Sequence, residues 1–191
     1  MEEEFKGSTR QYRELDIPGA VVVRSKKFLS RGGGYVKEEG DFSEISNFSG
    51  FRFDVRSLYT IWSPKGVIRG GHMEGRSKFG TVVNGAIFFI MVDMRPGEGQ
   101  GKVVSLYLGK HEEAWGDSIV VPEGVVDAYV SVAEEATYLA VGNKPFSRFD
   151  SFTTLDLFDK KLDIKWPEGT LPQSTEEEME ILSLDDFISR I

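Results

Sequence analysis

Residues Gly66-Val67-Ile68-Arg69-Gly70-Gly71-His72, with Lys78 six positions further on, are the stretch from which the fold of this chain is read. An apolar run of strand character leads into a Gly-rich turn that carries one of only two histidines. An imidazole, an ammonium and a guanidinium brought to one pocket suit an anionic substrate with an acidic C–H bond. The imidazole can take the proton, the ammonium can hold the oxyanion that develops, and the guanidinium can grip a phosphate.

Outward from this stretch the chain is a succession of short β-type runs. Ala20–Val23, Phe51–Val55, Leu58–Trp62, Phe79–Val83, Ala86–Met94, Lys102–Leu108, Ser118–Val121, Ala128–Val132 and Thr137–Val141 are rich in Val, Ile, Phe and Tyr. Turn clusters separate them: Ser63-Pro64-Lys65-Gly66, Asn84-Gly85, Pro96-Gly97-Glu98-Gly99 and Pro122-Glu123-Gly124. Asn84-Gly85 predicts a type I′ hairpin, with positive φ at both positions. Helix is expected only at Asp41–Phe48 and Ser183–Ile191, the second capped by Ser183 with Asp186 at the third helical position. Pro172–Glu178 reads as a solvated acidic loop. Many short strands at this spacing predict an all-β barrel or jelly roll.

The 191 residues suit a single domain, and 40% hydrophobic with 28% charged content is that of a globular protein. A net charge of -8 speaks against nucleic-acid binding, which needs a basic face. The absence of cysteine rules out a disulfide framework and thiolate metal sites. Met1-Glu2-Glu3-Glu4 opens the chain without the apolar core of a signal peptide, and the run Ala86–Val92 is too short to span a bilayer. A cytoplasmic protein with no membrane partner is expected. Gly32-Gly33-Gly34 lacks the helix start and Gly-Lys-Ser of a phosphate loop and reads as a turn.

The order and spacing of these signals resemble the dTDP-4-dehydrorhamnose 3,5-epimerase family, cupin-type jelly rolls acting on nucleotide-linked 4-keto sugars. Gly66–His72 is similar to that family's Gly, aliphatic pair, Arg-Gly and His. Lys78 falls on its Lys, Asn84-Gly85 and Val92-Asp93-Met94-Arg95 on its hairpin and strand end, and Val121-Pro122-Glu123-Gly124 on its "IPEG". Asp159–Pro167, ending Ile164-Lys165-Trp166-Pro167, and Leu182-Ser183 to Asp186 complete the match from about Arg31 to the C-terminus. The resemblance implies that His72 is the base, that Asp159 orients it, and that Lys78 stabilises the enolate. It implies Arg69 at the pyrophosphate and a homodimer, in which Arg31 and an N-terminal extension, residues 1–30, reach the partner's nucleotide. No metal and no cofactor are implied. His111, in Lys110-His111-Glu112-Glu113, reads as solvated, and two unrelated histidines do not make a cupin metal site.

Four positions depart from the family pattern. Asp127 replaces a second His, and Phe146 replaces the Tyr that returns a proton from the opposite face. Ser57 begins Ser57-Leu58-Tyr59 in place of Gln-x-Asn, and Glu74 replaces a Gln. Ser57, Glu74, Asp127 and Phe146 are read as substrate-binding positions of altered chemistry. With Phe146 at that position, Asp127, a tyrosine or water replaces the lost acid; Tyr138 is an alternative counterpart of the Tyr. The retained His72, Lys78 and Asp159 favour an epimerase or a related enolising enzyme over a non-catalytic sugar-nucleotide or glycan-binding protein.

Overall fold

The computed structural model describes residues 10–30, 34–50, 52, 54–145, 153–174 and 180–191. Two sheets face one another. The larger has the order β1 (Gln11–Glu14), β2 (Val21–Arg24), β10 (Ser118–Val121), β7 (Lys78–Asn84), β12 (Glu135–Gly142), β5 (Ser57–Pro64). The smaller has the order β6 (Ile68–Met73), β11 (Val125–Ser131), β8 (Ala86–Asp93), β9 (Val103–Gly109). Every pairing within these two sheets is antiparallel. This is the jelly roll that the strand spacing predicts.

Alternation along the strands sorts side chains into three apolar layers. Ile87, Phe89 and Met91 of β8 meet Val22, Ile119, Val121, Tyr138 and Ala140 between the sheets. Phe88, Ile90 and Val92 point the other way, onto Leu155, Leu157, Leu162, Leu184 and Phe187 of the C-terminal segment. Being covered on both faces, β8 reads as an unbroken apolar run. On the outer face of the larger sheet, Val21, Val23, Phe79, Val120 and Val141 pack under Ile45. Ile45 belongs to α1 (Phe42–Ser49), whose cap Asp41 accepts from the backbone N–H groups of Ser43 and Glu44.

Several sequence expectations are corrected. Residues 10–30 are not a mere extension: β1 and β2 are integral to the larger sheet, and Val21–Val23 are fully buried. Asn84-Gly85 does not close a hairpin between paired strands. It is the corner at which the chain passes from β7 in one sheet to β8 in the other. Only Gly85 has positive φ (79°), where a Cβ would strike the Glu135 carbonyl. His72 lies in strand β6 rather than in a turn. His111 is half-buried, stacked on Tyr107 with ring centroids 3.7 Å apart. A two-stranded ribbon, β3 (Lys26–Leu29) with β4 (Tyr35–Glu38), and a parallel pair, β13 (Thr153–Leu155) with β14 (Glu180–Leu182), were not expected. The terminal helix α2 (Leu184–Arg190) is capped as expected, Ser183 Oγ accepting from Asp186 N at 3.2 Å. Arg31 and Phe146 lie outside the described residues, as do Gly32 and Gly33.

Candidate active site

A β-bulge builds the first half of the site. Across β6 and β11, Arg69 pairs with Tyr129 and Gly70 with Ala128, but the next pair is His72 with Asp127. Gly71 is the extra residue, with φ of 94°, and a side chain there would crowd Thr154, Leu157 and Gln173. The bulge turns both Arg69 and His72 to the face that carries Asp127 and Tyr129. Ala128 and Val130 point to the opposite layer. The glycines of the opening stretch thus serve to aim a histidine.

Thr154 holds that histidine. Its Oγ1, in fully buried β13 backbone beside the edge of the smaller sheet, lies 2.9 Å from His72 Nδ1. Asp159, the residue expected in this role, is elsewhere. Its carboxylate caps the 3-10 turn Lys160–Leu162, accepting from Lys161 N at 2.9 Å, and accepts from Leu184 N at 2.8 Å. Those two N–H donors hold its pKa below the ordinary carboxylate value. Asp159 therefore fastens the C-terminal segment to α2.

The second half of the site comes from the other sheet. Lys78, at the start of β7, is 5% exposed. Its ammonium donates to Asp127 of β11, and to Glu74 Oε1 at 3.1 Å. Glu74 also pairs with Arg76, itself 2% exposed. Arg76 donates onward to the Pro145 carbonyl (3.3 Å), Ser57 Oγ (3.5 Å) and Tyr59 Oη (3.5 Å). Ser57 Oγ donates to the Lys144 carbonyl at 2.9 Å. Two cations and two carboxylates thus neutralise one another where water is scarce, which is the condition for burying charge at all. The carboxylates around Lys78 raise its pKa and keep it an ammonium. Burial pushes Asp127 up despite the pull of Lys78, whereas Lys78 and Arg76 pull Glu74 down.

Three tyrosines line the interior below this network. Burial raises Tyr59 and Tyr129 to about 12 and Tyr138 well above its ordinary value. Tyr129 Oη lies 3.1 Å from Ser63 Oγ, to which Arg69 Nε donates at 3.4 Å. His72, Lys78, Asp127, Glu74 and Ser57 thus gather at one end of the barrel. Arg69, exposed, lies further along β6 opposite Tyr129, and Asp159 lies outside. Sequence reasoning missed Arg76 and Thr154. The alternating charges of Glu74-Gly75-Arg76-Ser77-Lys78 were the available signal for Arg76, and nothing near Thr154 marks it.

An imidazole on one wall and an ammonium on the other can move a proton beside a carbonyl and hold an enolate. In a cupin-type barrel that chemistry suits an isomerase. The sequence comparisons carry this to a family. The model of the dTDP-4-dehydrorhamnose 3,5-epimerases matches residues 14–186, and the chain belongs to that family. The dTDP-4-dehydrorhamnose 3,5-epimerase of Mycobacterium tuberculosis is 25% identical over 181 residues, covering 91% of this chain and 87% of its own. That of Mycolicibacterium smegmatis is 28% identical over 163 residues, covering 82% and 77%. Among solved structures, a 4-keto-6-deoxy sugar epimerase from the novobiocin cluster of Streptomyces spheroides superimposes with a TM-score of 0.82 at 22% identity. It covers 97% of this chain and 92% of its own, a likeness that establishes the fold.

Proposed function

We propose that the chain is an epimerase acting on a nucleotide-linked 4-keto-6-deoxy sugar by proton abstraction next to the ketone. The observation that carries this reading is the position of His72 and Lys78. They stand on facing sheets at one end of the barrel and are bridged by Asp127, the cross-strand partner of one and the ion-pair partner of the other. A sugar between the sheets has a base on one side and an ammonium within reach of its C4 oxygen. Nδ1 of His72 is held by Thr154, which assigns proton transfer to Nε2. An ammonium fixed in a dry barrel stabilises an enolate far better than the same charge in water. Arg69, on the same face of β6, is assigned to the pyrophosphate, and Ser57, Glu74 and Asp127 to the sugar's surroundings.

Among the described residues no helix is long and apolar enough to cross a membrane. With the nucleotide-sugar substrate class, this supports work in the cytoplasm. Leu58 and Trp62 on β5, an edge strand of the larger sheet, are 64% and 63% exposed, which supports a homodimer. The test is conversion of dTDP-4-keto-6-deoxyglucose followed by proton NMR. Wild-type protein should give a new 4-keto sugar and His72→Ala none. Tight binding of the nucleotide sugar without conversion would instead establish a binding protein.

A further inference from the structure

We propose that Asp127 is a counter-ion that changes partners during the reaction: it pairs with Lys78 in the resting site and with the imidazolium of His72 once the proton has been taken. The proposal rests on the epimerase reading above and deepens it. Proton abstraction beside a ketone creates two charges in one dry space, a positive imidazolium and a negative enolate. Each is costly to leave unpaired there. Lys78 answers the enolate, and the imidazolium needs an answer too.

The groups around the base can be taken in turn. Thr154, on Nδ1, brings a hydroxyl and no charge. Asp159 accepts from the backbone of Lys161 and Leu184, and Asp156 from Phe158 N at 2.9 Å. Glu74 is held by Arg76 and Lys78. Asp127 differs. It stands directly across from His72 in the register of β6 and β11, and the bulge at Gly71 sets both side chains on one face. Residues so opposed have Cβ atoms about 4.5–5.5 Å apart, within reach of an ion pair. The Asp127 side chain is 12% exposed and accepts from Lys78 across the barrel. Burial raises its pKa, and Lys78 and, less strongly, His72 pull it back, so both cations act on the one carboxylate. Tyr59, Tyr129 and Tyr138 complete its surroundings, and burial keeps all three phenols neutral. Lys78 has a second carboxylate, Glu74, at 3.1 Å, so releasing Asp127 does not strand the ammonium. The His that the family pattern carries at this position could not balance a cation. The device belongs to the carboxylate of this chain.

The step balances without an oxidant or reductant. Nε2 of His72 takes the proton beside the ketone, and the C–H electron pair passes into the enolate. The Lys78 ammonium moves a hydrogen bond from the Asp127 carboxylate to the enolate oxygen, and that carboxylate turns to the imidazolium. One ion pair becomes two, and the net charge of the pocket is unchanged. When the carbon is reprotonated and the ring gives up its proton, the resting pair re-forms.

The chain has two histidines, so an imidazole NMR titration of the free protein reads His72 beside His111, and His72→Ala assigns them. Asp127→Asn should lower the pH at which His72 protonates by about one unit or more, the usual effect of losing a neighbouring opposite charge. Asp127→Glu, which keeps the charge, should stay near wild type. A base works in its neutral form. The acid limb of kcat for deuterium exchange into dTDP-4-keto-6-deoxyglucose should therefore move to lower pH in Asp127→Asn, with kcat about tenfold lower and KM within a few-fold. Lys78→Met serves if Asp127→Asn does not fold: with the carboxylate released, the His72–Asp127 pair should take up one proton at higher pH than in wild type. An unmoved His72 titration in folded Asp127→Asn would overturn the proposal, leaving Asp127 a structural partner of Lys78. Faster exchange in that variant would overturn it too, since the carboxylate would then only restrain the ammonium. So would a Lys78→Met titration unchanged from wild type. Wild-type protein that exchanges no deuterium would instead overturn the epimerase reading itself.

Discussion

Replacing Asp127 by Asn tests whether the charge network at the barrel end is as closely balanced as its geometry implies. Lys78 has two carboxylate partners, Asp127 and Glu74, and Glu74 is shared with Arg76. The substitution leaves Lys78 and Arg76, both almost wholly buried, facing the one carboxylate of Glu74. Removing one member of a buried pair costs about 3–5 kcal/mol. Because Glu74 stays 3.1 Å from Lys78, the loss should fall at the lower end, about 3 kcal/mol. Lys78→Met should cost less. Asp127 already titrates above its ordinary value through burial, and without Lys78 it can take up a proton and remain neutral. The sign follows: a group whose folded-state pKa is raised favours folding below that pKa and loses the contribution as pH rises through it. Lys78→Met should therefore gain stability relative to wild type as pH falls from neutrality. Urea unfolding at several pH values, read by tryptophan fluorescence, measures all of this. A loss below about 1 kcal/mol for Asp127→Asn, the range of an exposed ion pair, would refute the reasoning.

Three further outcomes are expected. Thr154→Val removes the hydroxyl on His72 Nδ1 and should lower kcat about tenfold with little change in KM, rescued by Thr154→Ser and checked by steady-state kinetics. Asp159→Ala should cost about 1 kcal/mol, the worth of a helix cap, and leave kcat near wild type, whereas a residue orienting the base would cost kcat far more. The lowered pKa of Asp159 means that its contribution is present above the ordinary aspartate pKa and lost as pH falls through the folded value, so Asp159→Asn should flatten the acid limb of thermal stability. Gly85→Ala, at φ of 79° and against the Glu135 carbonyl, should lower stability by about 1–2 kcal/mol or more in the same urea assay.

Much of the barrel was legible because period-2 patterning and turn chemistry are local. β5, β7, β8, β9, β10, β11 and β12 all lie where Val, Ile, Phe and Tyr cluster. What failed was long-range. Asn84-Gly85 is a strong hairpin signal, yet the strands it joins belong to different sheets, since the turn sets only the local reversal and pairing is decided elsewhere. β1, β3 and β4 are charged and Lys- or Arg-bearing, so neither their hydrophobicity nor their alternation announces a strand. In the site, the approach of His72 and Lys78 to one end of the barrel was legible through spacing around the glycines. The role of Asp159 was misread because a cap and a histidine partner both require a carboxylate at a fixed offset, and sequence does not say which N–H or ring nitrogen it meets. Thr154 was invisible because it reaches His72 across 82 positions. The pairing of Lys78 with Asp127 across the two sheets could be read only once the register of β6 and β11 was known.

The measurement that bears most directly on the whole account is the mass of dTDP-4-keto-6-deoxyglucose recovered after incubation with wild-type protein in deuterated water. If His72 removes a proton beside the ketone and Lys78 holds the enolate, the recovered sugar carries solvent deuterium at a carbon next to C4, and the same incubation with His72→Ala leaves its mass unchanged. A wild-type incubation that returns the sugar without deuterium, under conditions where the nucleotide sugar is shown to be bound, would contradict the account.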